Sequence, residues 1–186
     1  EYIERAKQRL MVVVPVVLIV IVVLLYLNFR NFAQVAIIVG TVPLSLVGGV
    51  WLLFFLDYDL SVAVGVGFIA LAGVAVETGV LMLTYLDHAY QNHKNIVGKD
   101  GRTFTIDDLR TAVSDGALLR IRPIMMTTTT IIVGLITVMV GSGTGSEVMR
   151  RIAAPMVGGM LSALILTLVV IPAVYLVWRR SSDISD

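Results

Sequence analysis

Five stretches of this chain are apolar over the length that a helix needs to cross a hydrocarbon layer, and that feature excludes most folds at once. A layer of about 30 Å takes about 20 residues at the helical rise. The stretches run approximately over 10–29, 31–56, 60–86, 123–146 and 152–178; four carry no charged residue, and the third carries only Glu77. Lipid offers backbone groups no hydrogen-bond partner, so such segments must be helices or a closed barrel. Uninterrupted apolar runs without period-2 alternation exclude the barrel. The fold class is therefore all-α, a polytopic membrane bundle of five transmembrane helices, with residues 1–186 as a single transmembrane domain.

Composition agrees: 58% of residues are hydrophobic and 15% charged, where soluble domains carry roughly a quarter charged. A net charge of +1, with basic residues spread among the connecting segments, gives no electrostatic case for nucleic acid. The partner implied is the lipid bilayer. With no cysteine, disulfides and thiolate metal sites are excluded, and soft-metal chemistry must use methionine. The chain opens on Glu1, and residues 1–9 lack the layout of a secretory signal, so it reads as an excised part of something longer.

Alternate crossing puts Arg30, Lys94, Lys99, Arg102, Arg110, Arg120, Arg122, Arg179 and Arg180 on one side, nine in all, against Arg5, Lys7, Arg9, Arg150 and Arg151 on the other. The positive-inside rule makes the nine-residue side cytoplasmic. The N-terminus is then periplasmic and the C-terminus cytoplasmic, across a bacterial inner membrane. Arg5 to Arg9 pull the other way and are assigned to a translocated periplasmic domain.

Within the longest connection, Thr105-Ile-Asp-Asp108 has the form of a capping box with acids in the first turn. It predicts a cytoplasmic amphipathic helix over about 106–119, whose stripe of Ile106, Leu109, Val113 and Ala117 would lie on the membrane surface or the underside of the bundle. Its role is that of a connector fixing spans three and four. Gly141 to Ser146 forms a short flexible loop on the opposite side. Small residues (Gly40, Ser45, Gly48 and Gly49; Ala70 and Gly73; Gly158, Gly159, Ser162 and Ala163) permit close helix approach.

Glu77 lies ten residues before Asp87 and so about 15 Å inside the membrane. A carboxylate there costs about 2.5 to 3.5 kcal/mol on insertion scales unless it is protonated, paired or watered. Ala70, Gly73, Glu77 and Thr84 fall on one stripe that would face a partner helix or a cavity. Two readings follow: a proton carrier, or a static hydrogen bond to a neighbouring helix. Thr127 to Thr130 point around the whole of span four, and threonine in membrane helices commonly bonds back to its own backbone. Arg122, before Pro123, is explained by snorkelling at the cytoplasmic end.

Six of eight methionines fall between Met125 and Met160. They serve as packing material or as thioether ligands, the only soft ligands here for Cu(I) or Ag(I). Met149 is the best placed, at the periplasmic mouth. His88 and His93 lack the four-residue spacing of a helix-borne metal pair. No nucleophilic triad, phosphate loop or paired carboxylate is present, so neither an enzymatic reaction nor a resident cofactor is expected.

Three motifs carry a resemblance: Gly65-Val-Gly-Phe-Ile-Ala-Leu-Ala-Gly-Val-Ala-Val-Glu-Thr-Gly79, Arg120-Ile-Arg-Pro-Ile-Met-Met-Thr127, and Gly145-Ser-Glu-Val-Met-Arg-Arg-Ile-Ala-Ala-Pro-Met-Val-Gly-Gly159. In this order the chain resembles the C-terminal membrane half, spans eight to twelve, of resistance-nodulation-division efflux pumps, and most the heavy-metal branch that exports Cu(I) and Ag(I). The resemblance implies a homotrimeric, proton-driven pump that passes substrate to a periplasmic adaptor and an outer-membrane channel, with the rest of the protomer supplying porter domains. It also implies a proton relay of Glu77, Arg120 and Thr127, in which Glu77 takes the position of the drug pumps' relay lysine, and it gives Met149 a place in the metal path. One departure stands out: Ile124 follows the Arg-Pro pair where the copper/silver pumps carry a relay lysine. A related pump for other metals or organic compounds is the second reading, and a membrane scaffold or translocase accessory subunit the third.

Overall fold

The computed structural model describes residues 2–99 and 101–183. It contains α1 (Tyr2–Phe29), α2 (Phe32–Phe55), α3 (Val62–Lys99), α4 (Ile106–Val140), α5 (Ser146–Ile165), a π-helical turn (Leu166–Val170) and α6 (Ile171–Asp183), which continues the last span. Five helical rods are long and apolar enough to cross a membrane, and no strand occurs among the described residues. The residue 30–31 turn, the 101–105 loop and the end of α6 lie at one end of the bundle, and the 56–61 and 141–145 loops at the other.

Short polar devices end the rods. The side chain of Asn31 accepts from the amide of Ala33 at 3.0 Å and caps α2. Asp57, at φ 52, closes α2, with the amide of Tyr58 donating to Leu53 O (3.1 Å) and that of Asp57 to Phe54 O (3.4 Å). The expected capping box is present: the amide of Thr105 donates to Asp108 Oδ2 at 3.0 Å, and the amide of Asp108 to Thr105 Oγ1 at 3.4 Å.

The sequence reading of an amphipathic helix over 106–119 separate from a span at 123 needs correction: α4 runs unbroken through Pro123. Proline removes one backbone hydrogen bond, yet the buried stripe of Leu109, Ala112, Val113, Gly116, Ile124 and Thr128 continues across it at steps of three, four and eight, which only one helix can present. That stripe does not face a membrane surface. It packs on α3, which extends well past residue 86; Gly116 lies against Ala89, Leu86 and Tyr85, Tyr90 meets Phe104 with centroids 5.5 Å apart, and His93 pairs with Asp115 at 3.0 Å. The helix that carries the last span starts at Ser146, directly after the loop.

In lipid, apolar side chains gain little by leaving the solvent, so helices associate where backbones can come close. The most extensive packing is between α2 and α5. Gly48 and Gly158 face each other so tightly that a Cβ on either would meet the other's carbonyl oxygen. Ser162 Oγ donates to Ser45 O at 2.7 Å and ties the same crossing. By contrast Gly40 and Gly73, also candidates for close approach, have nothing within 4 Å.

Gly158→Ala should therefore lower the thermal stability of the intact protein, by the roughly 1–3 kcal/mol typical of overpacking. Gly98→Ala, at an open helical position near the end of α3, should leave it unchanged or raise it by up to about 1 kcal/mol through helix propensity. Thermal melts that rank the two the other way round would contradict the crossing.

Candidate functional site

The buried face of α3 includes Leu71, Ala75, Gly79 and Met82. Glu77 lies between two of them in sequence and so turns to the opposite side, where Val62, Val66, Ile69, Gly73 and Glu77 form an exposed row at steps of three and four. Its carboxyl has no hydrogen bond or ion pair among the described residues. Of the expected stripe, Gly73 and Glu77 are open; Ala70 and Thr84 are half-buried, and Thr84 Oγ1 donates to Val80 O at 2.8 Å. An acid on an apolar face within a span is costly when charged unless it is paired or watered.

Arg120 is half-buried and lays its guanidinium over the Tyr85 ring, 5.0 Å from the centroid, with a buried Nε that has no partner. Thr127, seven residues further along the same face of α4, is exposed, and its hydroxyl lies 3.1 Å from both Pro123 O and Ile124 O. Arg120 is thus brought to α3 about two turns beyond Glu77, while no hydrogen bond or ion pair joins Glu77 to Arg120 or Thr127. The threonine run divides: Thr128 is buried, Thr127 and Thr129 are exposed, and Thr130 donates to Met126 O at 2.9 Å.

Met149 sits at the far end, in the first turn of α5, and is 57% exposed. It borders an open hollow of about 360 Å³ formed with Val138 and the 141–146 segment. The thioether is therefore available to a ligand rather than used in packing. Met139, by contrast, packs against the small cluster of Leu53, Val64 and Ala154.

Sequence reasoning missed the most elaborate polar cluster. Asp87 Oδ1 accepts from Arg179 Nη2 (2.8 Å), Tyr175 Oη (2.9 Å) and Gln34 Nε2 (3.3 Å), and Oδ2 accepts from Gln91 Nε2 (3.3 Å). The Arg179 guanidinium also lies over the Tyr90 and Trp178 rings, at 4.4 and 4.6 Å from their centroids. One carboxylate so joins α2, α3 and α6, and its partners satisfy the charges that the interior would otherwise penalise. The available signal was Gln34, an uncharged polar side chain set among apolar residues and 3% exposed.

A family model described as the AcrB/AcrD/AcrF family matches residues 1–179. The chain is 50% identical over 179 residues to the cation efflux system protein CusA of Escherichia coli O157:H7, covering 96% of this chain and 17% of that protein. It is 36% identical over 187 residues to the cobalt-zinc-cadmium resistance protein CzcA of Cupriavidus metallidurans, covering 100% and 16%. The crystal structure of a heavy metal efflux pump, form II, superposes with a TM-score of 0.78 at 38% identity, covering 96% of this chain and 16% of that one. The chain thus spans about a sixth of the length of these relatives, and the heavy-metal resemblance carried by the three motifs holds. With residues 1–179 matched and half of the aligned residues shared with CusA, the chain belongs to the AcrB/AcrD/AcrF family.

Proposed function

We propose that these helices are spans eight to twelve of a homotrimeric, proton-driven efflux pump of the bacterial inner membrane that exports monovalent heavy-metal ions, Cu(I) and Ag(I), through a periplasmic adaptor to an outer-membrane channel. The observation that carries the reading is Glu77: a mid-span carboxyl on an open face, without a partner in its own bundle. The remainder of the protomer covers that face, and the carboxyl loads and unloads a proton there as the covering surface moves. Arg120, which reaches the same helix at Tyr85, and Thr127 complete the relay.

Metal as cargo is supported by the cation and heavy-metal efflux proteins to which the chain is similar. Monovalent soft metal is favoured by chemistry: a chain without cysteine, with an exposed thioether at Met149, offers a ligand that suits Cu(I) and Ag(I) far better than zinc or cobalt. The Lys and Arg count orients the bundle, with the 101–105 loop cytoplasmic and the 141–145 loop periplasmic.

Glu77→Gln in the full-length protein should abolish export at normal expression, because the amide keeps hydrogen bonding and loses the proton; wild-type metal resistance in cells carrying it would remove the relay. Met149→Ile should lower copper and silver tolerance without loss of protein, whereas Met139→Ile should leave tolerance intact and register only as a packing change below about 1.5 kcal/mol. Equal tolerance in both variants and wild type would remove thioether binding at Met149. Single cysteines at Lys99 and Ser142 should label from opposite faces, Ser142 in intact spheroplasts and Lys99 only after permeabilisation; labelling from one side would overturn the topology.

A further inference from the structure

Threonines in helices usually give their hydroxyl proton to a carbonyl one turn back. Here Thr41 gives its proton to Ile38 O at 2.6 Å, and Thr84, Thr130 and Thr137 act likewise. Thr128 and Thr167 do not. They are 4% and 3% exposed, and among the described residues neither hydroxyl has a hydrogen-bond partner in the protein. They come from different helices, 39 positions apart in sequence, yet both line one small cavity between α3, α4 and the π-helical turn. Thr78 lines it too, with its own proton committed to Val74 O (3.0 Å) or Ala75 O (3.1 Å). The remaining wall includes Val74, Ile124 and Met160.

We propose that this cavity binds a single internal water, bridged by the hydroxyls of Thr78, Thr128 and Thr167. Its volume of about 10 Å³ is the room that one water needs, and a buried water is stable with two to four polar partners. The hydrogen-bond balance closes. Thr78 Oγ1 can only accept, Thr128 and Thr167 can each donate or accept, and a water has two protons and two lone pairs to distribute among three oxygens. Apolar cavities of this size stay dry, but one walled by two unpartnered hydroxyls does not, since buried polar groups in native proteins are nearly always satisfied.

The π-helical turn explains why the site is there. Pro172 has no N–H to offer the carbonyls of the preceding turn, and the chain answers with a widened turn at Leu166–Val170, closed by the Ile171 amide on Leu166 O. Thr167 sits in that turn. The water fills the widened space and links the last span to α3 and α4, one residue away from Glu77 on the first and from Thr127 on the second. The inference is independent of what the assembly transports.

In the full-length protein, a cryo-EM map that resolves ordered water should show a peak within hydrogen-bond distance of all three threonine oxygens, lost in Thr128→Val/Thr167→Val. Thermal unfolding then supplies a sign. Valine matches the shape of threonine, so with a bridging water each single variant should have a lower Tm, and the double should fall no further than the worse single because both remove the same water. Thr129→Val, at an exposed position, should not shift Tm. A dry cavity gives the opposite result: each valine removes an unsatisfied hydroxyl, and Tm rises additively. A rise, an unchanged Tm, falls that add, or a map without the peak would each overturn the proposal.

Discussion

The crossing of α2 and α5 at Gly48 and Gly158 sets the spacing from which the rest of the bundle is built. In a solvent as apolar as the side chains themselves, dispersion and interhelical hydrogen bonds must do what water does for a soluble core, and both demand backbones at short range. Because α5 is drawn against α2 there, its neighbouring residues meet α3 as well: Gly67 lies against Ile152 and Pro155, and Gly159 against Leu71. The last span becomes the hub on which α2, α3 and α4 all pack. The outer side of α3 is left open, and the acid without a partner stands on that side.

Three acidic residues of the same chain show how environment assigns role. Asp108 completes a capping box at the start of α4, where solvent and a helix N-terminus both favour its charge. Asp87 accepts four hydrogen bonds, one of them from an arginine, and so joins three helices. Glu77 has neither arrangement. Its carboxyl stands on the open side of α3 without a partner among the described residues.

Much of this was readable before any coordinates. The five spans, the all-helical class and the capping box at Thr105 follow from length, hydropathy and local spacing, which act over a few residues. The glycine and serine stripe of α2 and α5 was visible as a permissive feature, although sequence did not separate Gly48, which is in contact, from Gly40, which is not. Ending a connector helix at 119 and starting a span at 123 failed because the buried row runs on from Gly116 to Ile124 and Thr128, and that row shows only once α3 is packed against it. The Asp87 cluster was not legible for a different reason. Its partners Gln34, Tyr175 and Arg179 are 53, 88 and 92 residues away, and no local period records a meeting at that range. The outward turn of Glu77 was legible only as an energetic cost that required a cause.

The isolation of α1 bears on how such a protein is made. It is the most apolar of the five rods, yet only 6% of its apolar window is buried, with its few contacts made to α2. Its insertion therefore needs little from α2 to α6, since hydropathy alone suffices for a translocon to release it sideways into lipid. The least apolar rod, α4, begins with charged turns and carries four consecutive threonines into the membrane. It gains from arriving after α3, against which its buried stripe packs. Synthesis thus brings the rod that enters lipid unaided before the rod that leans on a neighbour, and that neighbour is in place when it arrives.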